Sequence, residues 1–256
     1  MFDLRNVFTH PVSDKDFGKK FVIGCLVMFF PTVFSIIQEF LSQEQIKELF
    51  AQYAPVALAA SVIAGFFACV SIGYYFQIIN NRIHQNEQIM PDWQIKKNFI
   101  TGLKAFIGTF LLILPLSFLL FLITLFIFIG PILGSLAVSV ILIFSIIAYL
   151  LCIVTLCLLM SLSYAQDFKI TSFFNFKRAC GFLKGNIFKF LLYISLIGAV
   201  SILSQLFSFL LFLVTGLISL IAVVPLSFYV LLLNAEIAGQ FLAGINKEEV
   251  IEVIGE

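Results

Sequence analysis

The chain has 256 residues, 61% of them hydrophobic and 11% charged, with a formal net charge of +1 and a mean hydropathy of +1.11. Soluble domains carry about 25% charged residues, and a water-soluble fold of this length cannot bury so much apolar surface, so the solvent must be lipid. The near-neutral charge excludes recognition of nucleic acid or another polyanion through a global field.

The first apolar run, Phe21 to Gln38, follows a mixed-charge segment and reads as span one, with Pro31 inside it and no cleavable leader pattern before it. Residues 42–54, SQEQIKELFAQYA, are polar, with Ile46, Leu49, Phe50 and Tyr53 at helical spacing. Ser42 and Gln45 fit a capping box, and the pattern predicts a short helix lying in the interface. Span two runs from about Pro55 to Ile79. Ala57, Ser61, Gly65, Cys69 and Gly73 fall at every fourth position along it, a small-residue stripe that lets another helix approach, within the chain or across a dimer.

From Ala105 to Gln166 there are 62 residues without a charge, which suits spans three and four, with Pro115 in span three and a turn at Gly130-Pro131 and Gly134. Residues 167–189 alternate aromatic and basic side chains, and Phe176, Ala179, Cys180, Leu183 and Ile187 fit one helical face. This predicts an amphipathic helix on an anionic leaflet. Another 46 uncharged residues, Phe190 to Ala235, suit spans five and six, turning near Thr215-Gly216. In the acidic tail 246–256, Asn246 and Glu249 suggest a helix cap.

The expected fold is therefore an all-α integral membrane domain with six transmembrane helices in three hairpins, over about 14–90, 91–180 and 181–245, with interfacial amphipathic helices. Fourteen of the fifteen Lys and Arg residues fall on one side of this layout and Lys47 alone on the other. The positive-inside rule then places both termini in the cytoplasm, in the plasma or inner membrane.

Two phrases align at a shift of 78: DKDFGKKFVIG (14–24) and DWQIKKNFITG (92–102). They match Asp14 with Asp92, Lys19 with Lys97, Phe21 with Phe99 and Gly24 with Gly102. Each precedes an odd-numbered span and reads as a helix start followed by basic anchors at headgroup level. Tyr74, Tyr164 and Tyr229 stand near the ends of spans two, four and six, where interfacial tyrosine is common. Together these signals predict a threefold hairpin repeat.

FTHPVSDKDFGKKFVIG (8–24) and GYYFQIINNRIHQNEQIMPDWQIKKNFITGLKAF (73–106) resemble the prokaryotic multi-pass membrane proteins grouped as domain of unknown function 4013. The motifs are the Asp-rich lead into Lys-Lys-Phe, the Gly-Tyr near the end of span two, and Pro91-Asp92-Trp93 before a Gly-Leu step. The stretch between Arg82 and Pro91 lacks the glycine of that pattern. The hairpin pattern is also similar to the membrane domain of some glycerophosphodiester phosphodiesterases, without their soluble catalytic domain. The resemblance implies six helices and supplies no activity or site.

Glu236 is an ionisable residue within an apolar run, a pattern that usually marks function or pairing. Arg82 and Lys104 are its expected partners, and Asn234 and Gln240 share its surroundings. Gln205 lies deeper in a span and reads as helix glue or a solute contact. Trp93, Lys96, Lys97, Lys177, Arg178, Lys184 and Lys189 are the expected headgroup contacts. Four cysteines lie in apolar runs and Cys180 in a basic one, His10 and His84 stand alone, and no CxxC pair occurs, so no metal or cofactor is expected. No nucleophile elbow, HExxH or phosphate loop appears. The expected function is non-enzymatic: lipid binding and membrane organisation, or support of a membrane complex. The alternative is a small-solute transporter or channel subunit. Expected partners are anionic headgroups on the cytoplasmic side and a membrane-protein partner or second copy, but no nucleic acid.

Overall fold

In the computed structural model, which describes residues 3–40, 43–84, 90–129 and 136–254, the chain is all-α. The elements are α1 (Leu4–Thr9), α2 (Phe17–Phe40), α3 (Gln43–Ile83), α4 (Ile95–Ile129), α5 (Leu136–Asp167), α6 (Phe176–Gly181), α7 (Ile187–Thr215) and α8 (Leu220–Ile254), with short 3₁₀ turns between some of them. The six long helices are long and apolar enough to cross a membrane. Lipid offers no hydrogen bonds, so an uncharged run of this kind satisfies its backbone only by closing it within a helix.

The helix boundaries follow local chemistry. The polar helix predicted over 42–54 is the first part of α3, and Tyr53, at φ −127° and ψ 34°, breaks it from the span. Pro55 follows two residues later, lacks a backbone donor and disfavours helical backbone before it. Ser42 of the expected capping box lies outside the described residues, as does the turn at Gly130, Pro131 and Gly134. Gly216 joins α7 to α8 at φ +56°, a backbone region that suits glycine, where a turn was expected. The cap expected at Asn246 does not form, because α8 continues through it to Ile254.

The chain divides into two compact units, residues 1–103 with 186–256, and residues 104–185. In the first unit α8 is the hub: α2, α3 and α7 all pack on it, and α1 lies against it. The most apolar stretch of α8 is 56% buried, whereas that of α7 is 0% buried, so α7 turns most of its surface to lipid. The small-residue stripe of α3 is buried at both ends, at Ala57 and at Gly73. A Cβ on Gly73 would overlap the Asn98 carbonyl, and one on Gly102 would overlap the Cys69 carbonyl, so α3 and the start of α4 cross backbone to backbone. Gly65, midway along the stripe, has open space around it.

In the second unit the predicted amphipathic helix over 167–189 is broken. Ile170–Phe174 form a 3₁₀ turn, α6 lasts six residues, and Gly185 sits at φ +74° before α7 begins. Asp167 explains the break. It accepts from the Ser172 hydroxyl at 2.7 Å, the Lys169 amide at 3.1 Å and Arg178 Nη1 at 3.0 Å, while Asn175 caps α6 through the Arg178 amide. Local side-chain bonds here offer the backbone a better alternative than a continuous helix. Phe173, Ala179 and Phe182 become the buried residues, and Phe176, Cys180 and Ile187 of the predicted face are exposed. Phe173 lies where a Cβ on Gly108 would stand and stacks on Tyr164 at 4.7 Å.

Gly102→Ala and Gly73→Ala should each destabilise the protein by on the order of 3 kcal/mol, because main chain cannot move aside as a side chain can. Gly65→Ala should leave the thermal midpoint in detergent unchanged or slightly raised. Equal midpoints for all three variants would contradict the backbone crossing.

Candidate functional site

The polar groups of the first unit gather at three places. At the first, Glu236 on α8 is 1% exposed. Arg82 Nε, in the last turn of α3, lies 3.1 Å from Oε1, and His10 Nδ1 lies 3.2 Å from Oε2. Gln240, one turn along α8, donates to Oε1 at 3.2 Å. Arg82 Nη1 also lies 3.3 Å from His10 Nε2. His10 thus bridges the pair, with one ring nitrogen facing the carboxylate and the other facing the guanidinium. Gly239 makes the approach possible, since a Cβ there would overlap the Arg82 stem. Gln240 further bonds the Asp3 amide at 3.2 Å, and Tyr229 donates to the Phe8 carbonyl at 3.2 Å, so residues 3–10 are tied along α8.

At the second, Lys20 in the first turn of α2 is 4% exposed. Its Nζ donates to Asp14 Oδ1 at 3.1 Å and to the Met90 carbonyl at 2.6 Å, with Asp92 Oδ1 at 3.8 Å. Asp14 Oδ2 accepts the Met90 amide at 2.9 Å. Trp93 stacks flat on Tyr74 at 3.8 Å and donates its indole N–H to the Lys20 carbonyl at 2.9 Å, while the buried Tyr74 hydroxyl donates to the Pro91 carbonyl at 3.1 Å. Burial pushes the Asp14 carboxyl up, but the Met90 amide, the Lys20 ammonium and the Asp16 amide outweigh it and hold the group below its ordinary value of 3.8.

At the third, a cavity of about 580 Å³ opens between α2, α7 and α8. Helix α7 brings Ser204, Gln205 and Ser208 to it, α8 brings Ser227 with Ser219 just before it, and α2 brings Thr32 and Ser35 beside Pro31. Among the described residues no ionisable side chain lines it. Among the described residues no group of three or more His, Cys, Asp or Glu could hold a metal ion.

A family model described as Protein of unknown function (DUF4013) matches residues 56–213, more than half of the chain. The chain belongs to this family. No curated protein and no solved structure matches it. The DUF4013 match covers Cys69, Gly73, Trp93 and Gly102, and it leaves out the 8–24 phrase and Glu236.

In this DUF4013 protein the expected site residues separate. Glu236 and Gln240 join one cluster with Arg82, the partner expected for Glu236, and Asn234 Oδ1 is buried without a hydrogen bond. Gln205 lies at the cavity and is exposed. Trp93 is half-buried, Lys96, Lys97, Lys177 and Lys184 are exposed, Lys189 is half-buried, and Arg178 pairs with Asp167. Sequence reasoning missed His10, read as a lone histidine, and the burial of Lys20, read as a headgroup anchor. Tyr74 and Tyr164, expected in the interface, are fully buried. A signal for the cavity was available in the i, i+4 hydroxyls Ser204 and Ser208 around Gln205.

Asp14 favours its charged form in the folded state, so its contribution to stability is complete above the ordinary carboxyl pKa and fades as pH falls through the lower folded value. The wild-type thermal midpoint in detergent should therefore drop as pH falls below about 4, and Asp14→Asn should show a shallower drop from a lower starting point. At the other cluster, removing one partner of a buried pair costs about 3–5 kcal/mol. Arg82→Ala and Glu236→Ala should each show that loss, and the double variant should lose less than the sum by about 1–3 kcal/mol. Strict additivity in this double-mutant cycle would dissolve the pair.

Proposed function

We propose that this protein is a non-enzymatic integral membrane protein that binds anionic lipid at its cytoplasmic face, organising the membrane around it or seating a partner complex there. The observation that carries this reading is the placement of lysine in the first turns of the spans. Lys19 and Lys20 begin α2, Lys96 and Lys97 begin α4, and Lys189 begins α7, with no acidic residue in any of those first turns. A cation at a helix N-terminus opposes the helix dipole by about 0.3–1 kcal/mol. Lys20 is neutralised inside the chain, but Lys19, Lys96 and Lys97 are exposed, and an anionic headgroup layer is the partner that offsets their cost. Lys19 and Lys97 are equivalent in the repeated phrase, which supports the threefold repeat and the cytoplasmic placement of these helix starts.

The second reading, a small-solute transporter or channel subunit, is favoured by the cavity at Gln205. Its solute would be uncharged, since among the described residues no ionisable side chain lines that cavity and Glu236 is engaged at both oxygens elsewhere.

Native mass spectrometry of the full chain from discs of phosphatidylcholine with phosphatidylglycerol tests the first reading. Phosphatidylglycerol should be retained selectively, and Lys19→Ala with Lys96→Ala and Lys97→Ala should lower retention at least tenfold, at about 1 kcal/mol for each lysine. Unchanged retention would reduce these lysines to generic positive-inside anchors.

A further inference from the structure

The cavity between α2 and α7 lies apart from the lysine rim. Helices α2 and α7 both pack on α8 and leave a gap between them, and Ser219, Val223 and Ser227 of the α8 side form its floor. Ser219 and Ser227 are two turns apart, so the groove extends about 12 Å along the helix. It lies at the end where α7 turns into α8, whereas Lys19 stands at the opposite end of α2. Gln205 and Ser35 on its walls are exposed, so it opens sideways.

Its chemistry differs from that of the lipid-facing surfaces around it. On α7 the neighbours Leu203, Leu206, Phe207 and Leu210 are exposed and apolar, as a lipid-facing helix requires. Serine can return its hydroxyl to a carbonyl one turn back and so tolerate hydrocarbon. An exposed glutamine amide carries two donors and an acceptor, and hydrocarbon satisfies none of them. Among the described residues the groove thus presents an amide and six hydroxyls, without a charge, beside Met28, Ile36 and Phe209.

Among the described residues of its lining an ion would find no counter-charge. Its volume of about 580 Å³ is that of a small-molecule site. Small-molecule sites occupy about 300–1,000 Å³. We propose that this groove binds an uncharged polyol, the sugar or glycerol headgroup of a neutral glycolipid entering from the bilayer. The hydroxyls of Ser204, Ser208 and Ser227 and the Gln205 amide bond the headgroup, and Met28, Ile36 and Phe209 meet the first carbons of its chains. This inference is independent of the anionic-lipid reading, because it concerns a different ligand at the other end of α2.

The test uses the full chain in phosphatidylcholine discs, with native mass spectrometry as the readout. One arm includes a minor fraction of monogalactosyl diacylglycerol and the other has free galactose in the buffer. Wild type should retain one galactolipid per chain, and Gln205→Leu and Ser208→Leu should each lower that retention about tenfold. Phosphatidylglycerol retention and the thermal midpoint should not change, which separates loss of this site from misfolding and from failure of the lysine reading. If free galactose raises the thermal midpoint of wild type but not of Gln205→Leu, the polyol site stands and its source is a free solute. Equal galactolipid retention by wild type and both variants overturns the proposal, as does binding of neither probe. So does a wild-type dimer that Gln205→Leu converts to monomer, since the amide would then be glue between two copies.

Discussion

A carboxylate on the most enclosed helix of a lipid-dissolved protein has to be neutralised from within the chain. Glu236 is in that position, and much of the first unit is arranged around it. Water cannot share its charge, and an unpaired ion in such a place costs several kcal/mol. The Arg82 guanidinium supplies the charge from the end of α3, where it also suits the helix dipole, and His10 reaches the second oxygen from outside the spans. Neutralising one residue therefore fixes three things together: the rotation of α8, the end of α3, and the course of the segment before α2. Gly239 belongs to the same solution, because the Arg82 stem occupies the space where a side chain would be.

The Lys20 cluster solves the same problem with the opposite sign. A buried ammonium draws in Asp14 from the segment before α2 and the Met90 carbonyl from the segment before α4, with Asp92 close by. The two acids of the repeated phrase thus converge on one lysine. Both clusters lie where α2 begins, α3 ends and α8 approaches its end, and both use polar groups to tie non-helical chain onto helix ends. The spans otherwise pack mainly through apolar contacts and close glycine crossings, with one buried amide bond from Gln77 on α3 to Asn98 on α4. The groove at Gln205 differs again, since it gathers several polar groups within the spans and, among the described residues, no charge matches them.

The six spans were legible because lipid imposes one rule, long uncharged runs closed as helices, and because Pro55 and Gly216 punctuate the chain as their backbone chemistry requires. The Arg82–Glu236 pair was legible for a related reason: a buried acid in lipid has few possible partners. His10 was not, because its role comes from a chain path that brings residues 226 positions apart together, and nothing local signals it. The segment 167–189 was misread because helical periodicity was counted without its competitors. Asp167 and Asn175 divert the backbone, and Phe173 and Phe182 are buried instead of the apolar face that the spacing suggested.

Lys20 and Asn98 occupy equivalent positions in the repeated phrase, at the same shift of 78 that relates Lys19 to Lys97. Lys20 and Asn98 are buried, at 4% and 0% exposure, and Lys19 and Lys97 are exposed. Each buried group is engaged by the chain: Lys20 bonds Asp14 and Met90, and Asn98 accepts from the Gln77 amide on α3. The phrase therefore encodes a division of labour between adjacent residues. One polar side chain turns inward and fastens the start of a span to its neighbours, and the lysine before it turns outward. A helical step of about 100° for each residue is enough to separate the two roles, so a single Lys-Lys or Lys-Asn pair can serve both the packing of the span and the surface it presents.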